Sequence, residues 1–305
     1  MLILSCGDGH LTGKNPIGRI DDLTETQFNK WEEIIDFANN KDAPIITPGD
    51  IFNLSVVANS IVNRIGGILN KLHNPLYFTW GNHDLLYHSI DIWERTSLGI
   101  LLQNHPMVKH ISSFKEDYGI SWDYINWDCS LKNSESKFLL SHKAIISNKQ
   151  LKSHFWIEND KTFAEPVGKW SKQYKIIICG HWHKQYNFKS EKTLVINPGP
   201  ISRTTIVENY HPSVCLINLK TGMFNKYKLE SAKPFDEIMS SKHITRKENN
   251  SDNIKKLVSA LTKKHSNGSL FMDNLMSVIE EHEMDKELED LLVDVLSKTQ
   301  ERRNK

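Results

Sequence analysis

The chain lacks the features that would set it apart from ordinary globular proteins. Its four cysteines (Cys6, Cys129, Cys179 and Cys215) show no Cys-x-x-Cys spacing and no dense framework. That excludes a disulfide-stapled scaffold or a thiolate zinc ribbon, and it reads as free thiols in a reducing compartment. No apolar run is long enough to cross a membrane, so no membrane association is expected. No secretory signal precedes the first polar motif, and the expected location is the cytoplasm. Neither sign of charge dominates, with 38 Lys+Arg against 37 Asp+Glu. Net charge therefore gives no argument for or against a nucleic-acid partner, and local patches must decide. There are no repeats and no low-complexity tract. The 305 residues suffice for one sizeable α/β core plus a small appendage.

What the chain does have is a recurring pattern. Five strand-like apolar runs each end in a polar cluster. Leu2-Ile3-Leu4 leads to Asp8-Gly9-His10, and Ile45-Ile46-Thr47 leads to Gly49-Asp50. Leu76-Tyr77-Phe78 leads to Gly81-Asn82-His83-Asp84, Phe138-Leu139-Leu140 to His142, and Ile176-Ile177-Ile178 to Gly180-His181-Trp182-His183. In layered α/β folds the carboxyl edge of the strands is where ligand sites form. Between the first three runs, apolar residues recur at helical spacing, which predicts helices over about residues 23–40 and 57–72. A β-α-β-α-β opening of this kind predicts parallel strands with covering helices.

Beyond His83 the pattern changes. A short helix is expected near Asp91–Arg95. Short strands are expected at Met107–Ile111, Gly119–Trp122 and Tyr124–Trp127, in a second, mixed sheet. Residues between His142 and Lys175 form a long connection rich in lysine and aromatics, among them Trp156, Trp170 and Tyr174. Further strands are expected at Ile176–Cys179, Thr193–Ile196, Thr204–Val207, Val214–Asn218 and Phe224–Leu229. From about Pro234 only amphipathic helical patterns remain, around Ile254–Leu261, Leu275–Ile279 and Leu288–Val295.

Asp8, His10, Asp50, Asn82, His142, His181 and His183 are too many donors for one metal that must also leave room for substrate. Divided between two ions with one shared carboxylate, they give each ion about four protein ligands. Two divalent ions outweigh the charge of two aspartates and a hydroxide, so the centre attracts a phosphodiester. Imidazole-rich, thiolate-free ligation favours manganese, iron or zinc over a dedicated magnesium site. The remaining histidines, His88 among them, lack this context and read as surface or packing residues. Cys179 reads as a small buried strand residue rather than a ligand.

The ordered series Asp8-x-His10, Gly49-Asp50, Gly81-Asn82-His83-Asp84, His142 and Gly180-His181-x-His183 resembles the calcineurin-like metallophosphoesterase superfamily. The resemblance implies a four-layer α/β/β/α sandwich of two mixed sheets, with a small C-terminal helical appendage. Residues 1–232 would form the phosphoesterase domain, and residues 233–305 a linker and helical region. It implies that Asp8, His10, Asp50 and His183 hold one ion, and that Asn82, His142 and His181 complete the second, with Asp50 bridging. His83 would contact the phosphate or protonate the leaving oxygen, and Asp84 would orient His83. The implied reaction is in-line attack of hydroxide on phosphorus, assisted by two divalent ions. Manganese comes first among these, then iron, zinc or magnesium.

Within that superfamily the chain carries Asp84 where protein phosphatases carry glutamate, and it lacks their Asp-Arg-Gly after the second motif. The stretches Arg19-Ile20-Asp21-Asp22 and Asn197-Pro198-Gly199-Pro200-Ile201-Ser202-Arg203 look like the SbcD-type nuclease subunit of DNA double-strand-break repair and phage recombination complexes. That implies DNA as substrate, an SMC-like ABC ATPase (SbcC-type) as partner, a homodimer, and a bacterial cell or phage-infected host. The C-terminal helices are candidates for ATPase docking, with packing on their own core as the alternative. Two rival readings are a phosphodiesterase or phosphatase for a nucleotide-sized substrate and a non-catalytic scaffold with the same fold.

Overall fold

The computed structural model describes residues 1–240, apart from 17, 128–135, 154–163 and 206–207. The tail helices expected beyond Pro234, the candidate ATPase-docking segment and Trp156 therefore lie outside the described residues. None of the described helices is long and apolar enough to cross a membrane.

Two mixed sheets carry the fold. The first has the order β13-β12-β1-β2-β3-β4. Its parallel centre is β1 (Leu2–Ser5), β2 (Ile45–Thr47), β3 (Leu76–Phe78) and β4 (Val108–His110). An antiparallel pair, β12 (Ser213–Asn218) and β13 (Phe224–Lys228), extends it beyond β1. The second sheet has the order β10-β11-β9-β6-β5. Its members β5 (Asp123–Ile125), β6 (Phe138–Ser141), β9 (Ile176–Cys179) and β11 (Thr193–Asn197) are parallel, and β10 (Tyr186–Ser190) is antiparallel to β11. A two-stranded ribbon, β7 (Ala144–Ile146) and β8 (Ala164–Pro166), stands apart.

Period-two alternation explains the layering. Ile3, Ile46 and Tyr77 of the first sheet meet Leu140, Ile176, Ile178, Leu194 and Ile196 of the second in one buried cluster. Their neighbours Leu4, Ile45, Leu76 and Phe78 face the other way, into a cluster with Phe28, Trp31, Ile34 and Ile35. Those four residues recur at helical spacing along α1 (Leu23–Asn40), whose first turn is capped by Asp22 accepting from the Glu25 amide. Helices α2 (Asn59–Leu69) and α3 (Ser97–Asn104) complete that outer layer through Ile61, Ile65, Leu98 and Leu101. On the far face of the second sheet, Leu139, Ile177, Cys179 and Val195 are covered by Ile145, Val167, Trp170 and Tyr174.

Three expected strands fell differently. Met107–Ile111 contributes β4, but to the edge of the first sheet, because its backbone pairs with β3. Gly119–Trp122 is not a strand: α4 (Phe114–Tyr118) ends there on Gly119 in a left-handed conformation (φ 69°). Thr204 and Thr205 are irregular, their amides turned toward the Glu208 carboxylate. The segment near Asp91 is 3-10 helix, Ile90–Arg95. Helix α6 (Phe235–Ile238) stays with the core: the Ile20 amide donates to the Ile238 carbonyl, and Ile238 is buried.

Lys30 on α1 is buried, and its ammonium makes a long hydrogen-bond contact (3.4 Å) with the Ser202 hydroxyl. Burial, helped by the nearby guanidinium groups of Arg19 and Arg203, pulls its pKa down to about 7. An unfolded lysine titrates near 10.4, so the unfolded chain holds more protons between these values and stability rises with pH through that window. Lys30→Met should therefore raise Tm at pH 6 by about 2–6 °C, with the gain shrinking toward pH 9. Thermal melts of both proteins across that range check it.

Candidate metal centre

Strands β1, β2, β3, β6 and β9 end at one rim, and the loops that follow them carry the polar motifs. The first two loops are zipped together. The Gly9 and His10 amides donate to the Asp50 carbonyl (2.8 and 2.9 Å), and the Leu11 amide donates to the Ile51 carbonyl. Gln27 of α1 donates to the His10 carbonyl at 2.7 Å, fixing that loop from beneath. His10, Asp50 and His181 all have positive φ (46°, 51° and 62°). Non-glycine residues held this way cost free energy, and such strain clusters at functional sites.

Two glycines of the motifs are required by close approach. A Cβ on Gly81 would lie 2.1 Å from Asp50 Oδ1, and one on Gly180 would lie 2.5 Å from Asp8 Oδ1. Gly81→Ala should displace the Asp50 carboxylate and destabilise the fold by about 2–4 kcal/mol. Thermal unfolding together with metal content tests this, and a variant with wild-type values for both would contradict it.

All seven expected ligands converge. Asp8, His10 and His183 place ligand atoms within 4.8 Å of one another, and so do Asp50, His142 and His181. Asp50 lies between the two groups: its Oδ2 is 3.8 Å from His10 Nε2 and 3.4 Å from His142 Nε2. Asn82 Oδ1 is 2.9 Å from His142 Nε2. His83 joins His10 and Asp50 in a third grouping of the same size.

The hydrogen bonds fit cations at the centre. His142 Nδ1 pairs with the Pro48 carbonyl at 2.9 Å and His183 Nδ1 with Glu208 at 2.7 Å. Each outward nitrogen must therefore be a protonated one; in the neutral ring Nε2 is then a lone pair, and a proton on His183 Nε2 is what a bound cation would displace. Those lone pairs face carboxylate oxygens: His142 Nε2 faces Asp50, and His183 Nε2 is 3.7 Å from Asp8 Oδ2 and 2.8 Å from His10 Nε2. Asp8 Oδ1 and His10 Nδ1 are buried without a hydrogen-bond partner among the described residues. Acceptors turned on one another repel, and a divalent ion between them resolves the conflict.

Burial sets the protonation states the same way. It pushes His10 well below the ordinary histidine value and His142 down to about 4, and it lowers His181 too. These rings are thus neutral donors at pH 7. Burial also raises Asp8, and it raises Asp50 to about 6, a penalty that a bound cation reverses. For His183, burial opposes the charged form, but Glu208 and then Asp8 outweigh it and hold the pKa above the usual value.

Asp84 does not orient His83. Its buried carboxylate accepts from the amides of Asp50 (2.7 Å), Gly81 (3.1 Å) and Phe52 (3.4 Å), tying the second motif to the third. His83 Nδ1 instead pairs with the Asn53 carbonyl at 2.7 Å. Backbone amides with no acceptor in their own strands take the carboxylate first. The described later part of the lysine-aromatic connection is anchored by buried aromatics. Trp170 and Tyr174 are core residues, and Trp182 packs on Tyr186.

Glu208 escaped the sequence reading because it follows no strand and acts through another side chain. It is buried and accepts from the Thr204 amide and, at 3.0 Å, from the Thr205 amide. Its bond to His183 Nδ1 fixes that ring's tautomer. Glu208→Ala should weaken metal binding by about 10–100-fold, measured by calorimetric titration, while Glu208→Gln retains more of it.

Two ligand clusters sharing one carboxylate, at the common rim of two facing sheets, define a metal-dependent phosphoester hydrolase. Residues 1–222 match the family model described as the calcineurin-like phosphoesterase superfamily domain. The chain belongs to that superfamily, whose members use a dinuclear divalent metal site. Solved structures similar to it are distant. One is described as a novel archaeal phosphodiesterase, at 16% identity, covering 75% of this chain and 100% of that one, with a TM-score of 0.41. Another is a predicted phosphoesterase from Streptococcus pneumoniae TIGR4, at 15% identity, 74% and 97% coverage and a TM-score of 0.31. A third is a putative 5'-nucleotidase from Staphylococcus aureus, at 13% identity, 82% and 58% coverage and a TM-score of 0.39. No curated protein matches the chain.

Proposed function

We propose that this phosphoesterase is a DNA nuclease of the SbcD type: the exo/endonuclease subunit of a recombination or repair complex, loaded with manganese. The observation that carries the reading joins geometry to motif. The two stretches that resemble that subfamily meet behind the ligand loops. Arg19 pairs with Asp21 at 2.6 Å and donates to the Arg203 carbonyl. Asn197 donates to the Trp182 carbonyl at 2.9 Å, and the Ile201 amide donates to the Asp8 carbonyl at 3.0 Å. The second stretch thus braces the first and last motifs directly, and the first holds the second in place through Arg203.

When bound, the two ions supply positive charge for a phosphodiester and lower the pKa of water to near neutrality. Asp8, His10, Asp50 and His183 would hold one, and Asp50, Asn82, His142 and His181 the other. His83, with its Nδ1–H donating to the Asn53 carbonyl, would act as the imidazolium and pass its Nε2 proton to the leaving oxygen. Residues 254–298 would dock an SMC-like ABC ATPase, and the assembly would be a cytoplasmic homodimer.

The test is cleavage of linear duplex and single-stranded DNA with manganese, with and without a candidate ATPase. Metal-dependent cutting that a partner ATPase stimulates supports the reading. Rapid turnover of bis-p-nitrophenyl phosphate with no cleavage of DNA overturns it in favour of a nucleotide-sized substrate. A protein that binds no metal overturns it in favour of a scaffold.

A further inference from the structure

An aromatic wall stands beside the half of the site built by Asn82, His142 and His181. Trp127 lies just past β5, where its amide donates to the Trp80 carbonyl at 3.0 Å. That bond fixes it against the loop that carries Asn82. Its half-buried ring is 4.6 Å from the His181 ring and 6.0 Å from the His142 ring, centroid to centroid. On another side it meets His88 at 6.4 Å. His88 lies at the surface, as its sequence context suggests, but it is tied to the site: its Nδ1 pairs with the Asn82 carbonyl at 3.1 Å.

The backbone here is strained at two successive residues, and at Tyr87 the strain is not repaid by burial. Tyr87 and His88 are consecutive non-glycine residues with positive φ (53° and 57°). Tyr87 is 85% exposed, among the large hydrophobic side chains most open to water. Left-handed conformation is costly for a residue with a Cβ, and a side chain that buries nothing does not repay it. Held strain of this kind points to a ligand.

We propose that Trp127, with His88 and Tyr87, forms a stacking platform for the nucleobase joined to the phosphate under attack. This deepens the nuclease reading and rests on it for the polymer. The platform itself requires only an aromatic base attached to the ester. A nucleoside carries its base one sugar away from phosphorus, which matches a wall beside the ligands rather than between them. The bases of a paired duplex are stacked on their own neighbours, so the platform selects single-stranded or frayed ends, whose bases are free to stack. An alkyl phosphate presents no aromatic face there.

The experiment compares cleavage of an oligonucleotide with that of the same strand carrying an abasic residue beside the scissile phosphate. The metal-loaded wild-type protein should prefer the base-bearing strand by about tenfold. Trp127→Leu, which keeps bulk without a ring system, should bring the ratio near one, and Trp127→Phe should keep most of it. Tyr87→Ala and His88→Ala should lower it in part. A second readout is the fluorescence of 2-aminopurine in a phosphorothioate strand, quenched by the wild-type protein and not by Trp127→Leu. An unchanged ratio or unchanged quenching in Trp127→Leu overturns the platform. If the enzyme cuts only small esters, the nuclease reading falls separately. The platform is then judged on thymidine p-nitrophenyl phosphate against methyl p-nitrophenyl phosphate. Loss of the preference in Trp127→Leu supports it, and persistence overturns it.

Discussion

Asp50→Asn should leave the protein folded, nearly free of metal, and slower by on the order of 10³-fold or more. The reason is position. Asp50 Oδ2 lies within 3.4–3.8 Å of a histidine from each cluster, so one carboxylate serves both ions. Its Oδ1 also accepts the His83 amide at 2.8 Å, a bond that an asparagine oxygen can keep. Folding should survive for a further reason. Burial raises Asp50 to about 6 in the metal-free chain, above the unfolded value near 3.9. The metal-free wild-type protein therefore loses stability as pH rises from about 4 through 6, and at pH 7 it carries the full penalty of a buried charge. The asparagine variant carries none of it. Its Tm at pH 7, compared with metal-stripped wild type, should be equal or higher, while bound metal measured by mass spectrometry is nearly absent. A variant that keeps one ion at full occupancy would deny Asp50 its shared role.

His83→Ala should behave in the opposite way, losing about 10²–10⁴ in kcat with metal content intact. His83 is anchored by the Asn53 carbonyl and sits 4.9 Å from the His10 ring, edge to face. That geometry holds the ring at the mouth of the first cluster, where a proton donor for the leaving oxygen belongs. The prediction is sharp because His83 also groups with His10 and Asp50 within ligand range. Were it a ligand, metal and turnover would fall together. Parallel measurement of kcat and metal stoichiometry separates the two roles.

The convergence of the seven candidate ligands was legible because each follows a strand, and parallel strands of one sheet end at one rim. The two-sheet sandwich was legible through the resemblance that the ordered motifs carry, and runs such as Ile176-Ile177-Ile178 fit it because they are buried on both faces. Partnership between strands was not. Val108–His110 carries no mark of the sheet it joins, since hydrophobicity specifies burial and not the neighbour. Asp84 was misassigned because proximity in sequence to His83 suggested a pair, whereas unpaired amides of two neighbouring loops hold its carboxylate. Trp170 belongs to the lysine-aromatic connection, yet it is 7% exposed and lies in the core. Glu208 and Trp127 gave no signal, because what defines them is the ring each touches after folding.

The central claim is that these side chains hold two divalent ions close enough to share Asp50. Electron paramagnetic resonance of the manganese-titrated protein tests it most directly. The expected result is a spin-coupled two-ion spectrum that reaches its maximum at two manganese per chain and disappears in Asp50→Asn. A six-line spectrum of isolated manganese, saturating at one ion per chain, would contradict it.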